Sequence, residues 1–233
     1  MAELVFDIES VAIPIEDFGE EQQRYLLRSV ERQQTPEAKE LRRERILRSM
    51  AFNAMTAQVI AIGMTNAESG RGRVYYQGLE DVPWDSDDGK FRFEIGSEAQ
   101  ILEKFWRDVA VYDRVITFNG RRFDCPFLMM RSALHGIRPS RNLMTNRYDT
   151  RLHCDLLDQL TFYGATRRYN LDFFCHMFGI ESPKSHGITG FEIRDMYEQG
   201  LHREIALYCL DDVKATAELY QRWKSTLEFS ARG

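Results

Sequence analysis

Residues 4–10 read Leu4-Val5-Phe6-Asp7-Ile8-Glu9-Ser10, and apolar and polar side chains alternate along them. On a β-strand every second side chain points to the same face, so Asp7 and Glu9 share one face while Phe6 and Ile8 point to the other. Two carboxylates this close raise each other's pKa unless a cation lies between them. A hard divalent metal ion is the simplest partner for such a pair, whereas an isolated acidic pair is typical of a solvated strand face.

The composition limits the class of protein. The chain has 233 residues, of which 43% are hydrophobic, and its formal net charge is −5. A substantial core is therefore available, and no apolar run approaches the roughly 20 residues that a membrane span requires. The N-terminus lacks the basic region of a secretory signal. The negative charge argues against avid, nonspecific binding of duplex DNA, but it is compatible with a nuclease whose metal site is acidic.

The four cysteines are widely spaced and form no Cys-x-x-Cys pair. This spacing excludes the zinc-ribbon and thioredoxin classes. It predicts reduced, packed thiols in a cytoplasmic protein. The four residues are Cys125, Cys154, Cys175 and Cys209.

Strand and helix patterns predict one α/β domain over residues 1–233. Strands are predicted at 2–9, 58–64, 73–77, 114–118 and 150–156, with a hairpin over 58–77. Helices are predicted from about 97 and over 125–135, 156–163, 170–178 and 202–226. The acidic residues 79–90 and the residues 179–190 are expected to form loops.

Residues 16–50 are predicted to form two helices, with a break where Thr35 caps and Pro36 takes the first helical position. Arginines and glutamates are mixed along this segment. Two interpretations stay open: a solvated helical face with i,i+4 ion pairs, or a basic arm that contacts nucleic acid.

Two further acidic residues lie in patterned surroundings. Asp124 stands where a strand and a glycine-containing turn give way to a helix, so it could be a helix cap, a metal ligand or both. Tyr208 and Asp212 are four residues apart and share one face of the last helix. Asp212 could complete a metal site with Asp7 and Glu9, or it could be a surface acid beside a core tyrosine.

Together these segments resemble the tyrosine branch of the DEDD exonucleases. The likeness is closest to the 3′→5′ proofreading domain of family-B DNA polymerases and to stand-alone bacterial proteins predicted to be related to it. The family's Asp-x-Glu motif is matched by Asp7-Ile8-Glu9, its Asn-x-x-x-Phe-Asp motif by residues 119–124, and its Tyr-x-x-x-Asp motif by residues 208–212. The resemblance extends from residue 2 to about 225. Residues 16–50 look like a helical insertion, and residues 184–190 resemble a loop of the stand-alone relatives.

The resemblance implies a ribonuclease H-like α/β fold, with a mixed five-stranded sheet and helices on both faces. It implies that four carboxylates hold two Mg²⁺ or Mn²⁺ ions and that Tyr208 orients the attacking water. These ligands are Asp7, Glu9, Asp124 and Asp212. The substrate would be a nucleic acid with a free 3′ end, single-stranded DNA in the leading hypothesis, and the product a nucleoside 5′-monophosphate.

Residues near the second motif are candidates for substrate binding. They are Asn119, Arg121, Arg122 and Phe123, with Arg167 and Arg168 beside Tyr169 as a further candidate phosphate contact. Phe123 could instead belong to the core. Two other functions remain open: a noncatalytic domain that binds nucleic acid or a protein partner, and a ribonuclease or oligonucleotide hydrolase. The 2′-hydroxyl is read by local contacts that motif spacing does not reveal.

Overall fold

The acidic pair Asp7 and Glu9 lies on a central strand of a mixed β-sheet. The computed structural model describes residues 1–79, 82–181 and 192–229. Within these ranges the strands are β1 (Glu3–Ala12), β2 (Ala57–Asn66), β3 (Gly72–Tyr76), β4 (Trp84–Asp85), β5 (Phe91–Ile95), β6 (Arg114–Thr117) and β7 (His153–Asp155). They form one sheet in the order β4-β5-β3-β2-β1-β6-β7.

Helices lie on both sides of this sheet. In the described residues they are α1 (Glu20–Leu27), α2 (Pro36–Met50), α3 (Glu98–Val109), α4 (Asp124–Leu134), α5 (Leu156–Leu160), α6 (Leu171–Phe178), α7 (Ile193–Glu198) and α8 (His202–Thr226). Leu4, Phe6 and Ile8 of β1 pack in one core cluster with residues of α3 and α4. Val5, on the opposite face of β1, packs with residues of α8. Side chains along β1 therefore alternate between a face covered by α3 and α4 and a face covered by α8.

Strand β1 is paired on both edges. It runs antiparallel to β2 and parallel to β6, and the predicted hairpin between β2 and β3 is also antiparallel. The expected α/β class, with a mixed sheet and helices on both faces, is confirmed.

The sheet in the described chain has seven strands, two more than the five expected. The strands that the sequence pattern did not indicate are β4 and β5. Residues 79–90 were expected to be a loop, yet Trp84 in this stretch stacks on Phe93 at a ring-centroid distance of 3.7 Å. In β5, Phe91 and Phe93 are buried while Arg92 between them is exposed. This alternation covers only five residues, and β5 is recognisable chiefly by its parallel pairing with the distant β3.

The approach of α8 to the sheet depends on Gly63 in β2, the residue that pairs with Asp7 of β1. A Cβ at position 63 would lie 2.8 Å from Val213 Cγ2 and 3.2 Å from the carbonyl oxygen of Cys209. Real Cβ atoms essentially never approach within 3.0 Å of another heavy atom. A glycine is therefore required for α8 to lie this close to the centre of the sheet.

The segment 16–50 contains the two predicted helices, α1 and α2. Thr35 caps α2 by accepting a hydrogen bond from the backbone N–H of Ala38 at 3.2 Å, and Pro36 opens the helix. The C-terminal end of α2 is attached to β1, because the hydroxyl of Ser10 donates to the carbonyl oxygen of Ala51 at 2.7 Å. Most of the predicted loop 179–190, including the stretch 184–190, lies outside the described residues.

Candidate active site

Four carboxylates from three elements meet at one place. Asp7 and Glu9 extend from the same face of β1, Asp124 begins α4, and Asp212 lies on α8. An oxygen of Asp124 accepts a hydrogen bond from the backbone N–H of Ile8 at 3.1 Å, which ties the start of α4 to β1. Asp124 and Asp212 are electrostatic neighbours of both Asp7 and Glu9. The structure therefore brings together the four acids that the sequence singled out.

Burial and the charges of neighbouring carboxylates raise the pKa values of Asp7, Glu9 and Asp124. For Asp7 and Glu9, burial is the largest cause of a pKa well above the usual range, and the charges of nearby carboxylates add to it. Burial raises the pKa of Asp124 to about 7, although backbone hydrogen bonds oppose the shift. Carboxylate oxygens held against their own repulsion fit a hard divalent cation such as Mg²⁺ or Mn²⁺. A bound cation would favour the charged forms.

The last helix contributes Tyr208 and Asp212. Burial and the charges of Asp212, Glu9 and Asp7 raise the pKa of Tyr208 far above its usual range. Its hydroxyl therefore keeps its proton and can donate a hydrogen bond. The neighbour on α8 that raises the pKa of Asp7 and of Glu9 is Asp212, as the Tyr-x-x-x-Asp spacing indicated.

A cysteine also belongs to the site. One ligand atom each of Asp7, Glu9 and Cys209 lies within 4.8 Å of the other two, and the thiol of Cys209 is 3.7 Å from the Asp7 carbonyl oxygen. Burial raises the pKa of this thiol, and the charges of Glu9 and Asp7 raise it further. The thiolate is the metal-binding form of cysteine, so in the metal-free protein the protonated thiol of Cys209 lines the site as a neutral group. The sequence predicted a packed thiol but not its place beside the acids.

The turn before Asp124 is held by a residue that the sequence analysis did not single out. The buried carboxylate of Asp155 accepts hydrogen bonds from the backbone N–H groups of Asn119 and Arg121, both at 3.0 Å. Asn119 has a φ of 65°, a conformation that asparagine tolerates better than most residues. Asp155 also caps α5 through the Leu157 N–H at 3.0 Å. It thus fixes the turn that leads into α4 and Asp124.

The predicted substrate-binding residues have different surroundings. Asn119 is half-buried, and its side-chain oxygen accepts a hydrogen bond from Arg168 at 2.8 Å. The guanidinium of Arg121 is buried and donates to the carbonyl oxygens of Thr145 and Asn146 at 2.8 and 3.2 Å. These contacts hold the Arg121 side chain against the residues that follow α4, and its contact with substrate stays a prediction. Arg122, next to it, is exposed.

Phe123 is half-buried and contacts two other aromatic rings. Its ring centroid lies 5.3 Å from that of Phe127 and 6.2 Å from that of Phe52. The other candidate phosphate contact, Arg167, lies over the ring of Tyr169 at 5.0 Å. The sequence did not indicate Phe52 as a neighbour of the second motif.

Comparison with known proteins gives a family match over most of the chain. A family described as predicted 3′-5′ exonuclease related to the exonuclease domain of PolB matches residues 52–228. DNA polymerase 1 of Pyrococcus abyssi is 26% identical over 160 residues, covering 61% of this chain and 20% of the polymerase. DNA polymerase of Desulfurococcus sp. (strain Tok) is 26% identical over 161 residues, with the same coverage. The chain thus matches about a fifth of the length of these relatives.

Among solved structures, the family B DNA polymerase of the hyperthermophilic archaeon Pyrobaculum calidifontis is similar. The TM-score is 0.60 at 18% sequence identity, and the match covers 95% of this chain and 24% of the polymerase. This likeness concerns the fold, and it confirms the expected ribonuclease H-like class. In the part of the chain that the structure describes, no helix has both the length and the apolar character needed to cross a membrane.

Proposed function

This chain belongs to the family of predicted 3′-5′ exonucleases related to the exonuclease domain of PolB, and on that premise we propose that it is a metal-dependent 3′→5′ exonuclease acting on single-stranded DNA. The observation that carries the proposal is that Asp7, Glu9, Asp124 and Asp212 are electrostatic neighbours, with carboxylate oxygens of Asp7 and Glu9 within 4.8 Å of each other. A noncatalytic binding domain would not need a cluster of carboxylates in which burial and repulsion raise the pKa values of Asp7, Glu9 and Asp124.

The four carboxylates would hold two Mg²⁺ or Mn²⁺ ions. Two such ions, when bound, stabilise the attacking and leaving oxygens of an in-line displacement at phosphorus. Asp7 and Glu9 are held by the part of β1 that pairs with β2, and Asp124 by the turn that Asp155 fixes. This rigidity keeps the oxygen ligands in place before the substrate binds.

Tyr208 would orient the attacking water. Its raised pKa keeps the proton on the phenolic oxygen, so the residue acts as a hydrogen-bond donor and not as a base or a covalent nucleophile. The exposed Arg122 lies in the turn before Asp124 and would contact a phosphate of the substrate.

The substrate and the setting are also part of the proposal. The curated relatives are named DNA polymerases, which supports DNA as the substrate. The four cysteines are free and buried, which supports a reducing, cytoplasmic location. We further propose one exonuclease domain over residues 1–233, with α1 and α2 as an insertion between β1 and β2; the family match covers residues 52–228 of this domain.

The experiment is the degradation of a 5′-labelled single-stranded DNA, with Mn²⁺ or with EDTA, alongside an RNA of the same sequence. We expect a metal-dependent ladder that shortens from the 3′ end of the DNA and releases nucleoside 5′-monophosphates. Faster shortening of the RNA would replace DNA by RNA as the substrate. If neither the DNA nor the RNA is cleaved, the exonuclease function is contradicted.

A further inference from the structure

A groove runs along the C-terminal half of α2. It has a volume of about 360 Å³, and its lining includes Leu41, Arg45, Arg48 and Phe52. These positions recur at intervals of four and three residues, so they follow one helical face into the residues after α2. Residues 41–48 precede the segment that matches the exonuclease family, so most of this groove is built by the insertion.

The groove approaches the strand and the turn that carry three of the four carboxylates. A second cavity of about 50 Å³ shares Arg48 and Phe52 with the groove and is also lined by Ser10 and Arg194. Ser10 directly follows Glu9. On the other side, the ring centroid of Phe52 lies 6.2 Å from that of Phe123, the residue before Asp124. The groove therefore reaches both β1 and the turn of the second motif.

The side chains of the groove are suited to a single strand of nucleic acid. Arg45 and Arg48 are exposed, and neither forms an ion pair with another residue of the described chain. Glu44 is the acidic residue in the lining. The Phe52 side chain is 56% exposed although it is large and apolar. Exposed rings that stack on bases, together with cations along the backbone, are the means by which proteins grip single strands.

We propose that this groove binds the part of the substrate strand that lies 5′ of the nucleotide being removed. Phe52 stacks on a base, and Arg45 and Arg48 contact phosphates. From Leu41 to Arg48 the helix rises about 10 Å, the length of about three stacked nucleotides at ~3.4 Å each. This inference rests on the proposed exonuclease function and adds to it a dependence on substrate length.

The test compares a 12-nucleotide with a 3-nucleotide DNA strand, because only the longer one reaches along the groove. We expect Arg45→Ser/Arg48→Ser and Phe52→Ala each to lower the ratio of kcat/KM for the two substrates by about tenfold. A matched control is Arg28→Ser/Arg32→Ser, which removes two exposed arginines of the same insertion outside the groove and should keep the wild-type ratio. Phe52→Leu keeps the apolar packing but removes the ring, and it should resemble Phe52→Ala.

Binding measured without cleavage separates this proposal from the proposed function. Fluorescence anisotropy of the labelled 12-nucleotide strand in EDTA should show a salt dependence whose log–log slope is smaller by about 1.4 in Arg45→Ser/Arg48→Ser. If this variant has the wild-type slope, or if the Arg28→Ser/Arg32→Ser control loses as much slope as this variant, the strand does not bind in the groove. If the wild-type protein binds the 12-nucleotide strand through the groove but cleaves neither the 12-nucleotide nor the 3-nucleotide strand, only the exonuclease function is contradicted.

Discussion

At the scale of single residues, the protonation state of Tyr208 decides its role. In the metal-free protein, burial and three nearby carboxylates hold its pKa far above the usual range, so the hydroxyl keeps its proton and can donate a hydrogen bond. We predict that Tyr208→Phe lowers kcat by roughly 10- to 100-fold and changes KM little.

Steady-state kinetics on a labelled DNA strand would measure this effect. Tyr112→Phe, which removes a partly buried hydroxyl on the other side of the sheet, serves as a control and should retain wild-type kcat. A Tyr208→Phe variant with wild-type kcat would show that the ring only fills space.

The residues that could be predicted from the sequence are those defined by local spacing. Asp7 and Glu9 share a strand face, and Tyr208 and Asp212 share a helix face, so both pairs follow from chain periodicity. Asp155 could not be assigned, because its partners are backbone groups 34 and 36 residues away. The contacts of Arg121 were equally out of reach, because the carbonyl oxygens that hold its guanidinium lie 24 and 25 residues along the chain.

At the scale of elements, the site depends on how closely α8 approaches β2. A Cβ at position 63 would come within 3.2 Å of the Cys209 carbonyl oxygen, and a helix backbone cannot rotate away as a side chain can. We predict that Gly63→Ala destabilises the protein by about 1–3 kcal/mol. It should also lower kcat more than tenfold, because Tyr208 and Asp212 move with α8.

Thermal unfolding and kinetics of the same preparation would test this prediction. Gly19→Ala is a suitable control, since the added Cβ would meet mainly the end of the flexible Gln22 side chain. Unchanged stability and activity in Gly63→Ala would mean that α8 tolerates displacement.

The elements themselves were largely predictable. The capped start of α2 and the long α8 follow from the positions of Thr35, Pro36 and the apolar periodicity. Strand β5 was missed because parallel pairing joins segments distant in sequence, and a five-residue alternation alone is weak. The groove of α2 was also beyond prediction, because the docking of the helix end depends on Ser10 and Phe123.

At the scale of the whole molecule, the acidic site links stability to pH and to metal ions. The pKa of Asp124 is about 7 in the folded protein against an ordinary value of 3.8, and burial shifts Asp7 and Glu9 in the same direction. At pH values between the unfolded-state and the folded-state pKa of such a carboxyl group, the folded state binds more protons than the unfolded state, so stability falls as pH rises. Buried His153, with a pKa lowered to about 3, has the opposite effect, which ends near pH 6.5.

We therefore predict that in EDTA the free energy of unfolding falls between pH 6.5 and pH 8, on the order of 1–3 kcal/mol. Mn²⁺ should raise Tm, and the rise should be larger at pH 8 than at pH 6.5, because ion binding requires deprotonated carboxylates. Asp7→Asn relieves the repulsion, so it should raise Tm in EDTA at pH 8. A Tm that is insensitive to Mn²⁺ would contradict an ion site in the wild-type protein.

The most direct test of the account compares wild type, Asp7→Asn and Asp211→Asn on a 5′-labelled single-stranded DNA with Mn²⁺. Both variants remove one acidic charge, but Asp212, and not Asp211, is the α8 carboxylate that raises the pKa of Asp7. The account predicts 3′-end shortening by wild type and Asp211→Asn, and a rate lower by about 10³-fold or more in Asp7→Asn. Equal shortening by Asp7→Asn and wild type would contradict the claim that these carboxylates form the catalytic centre.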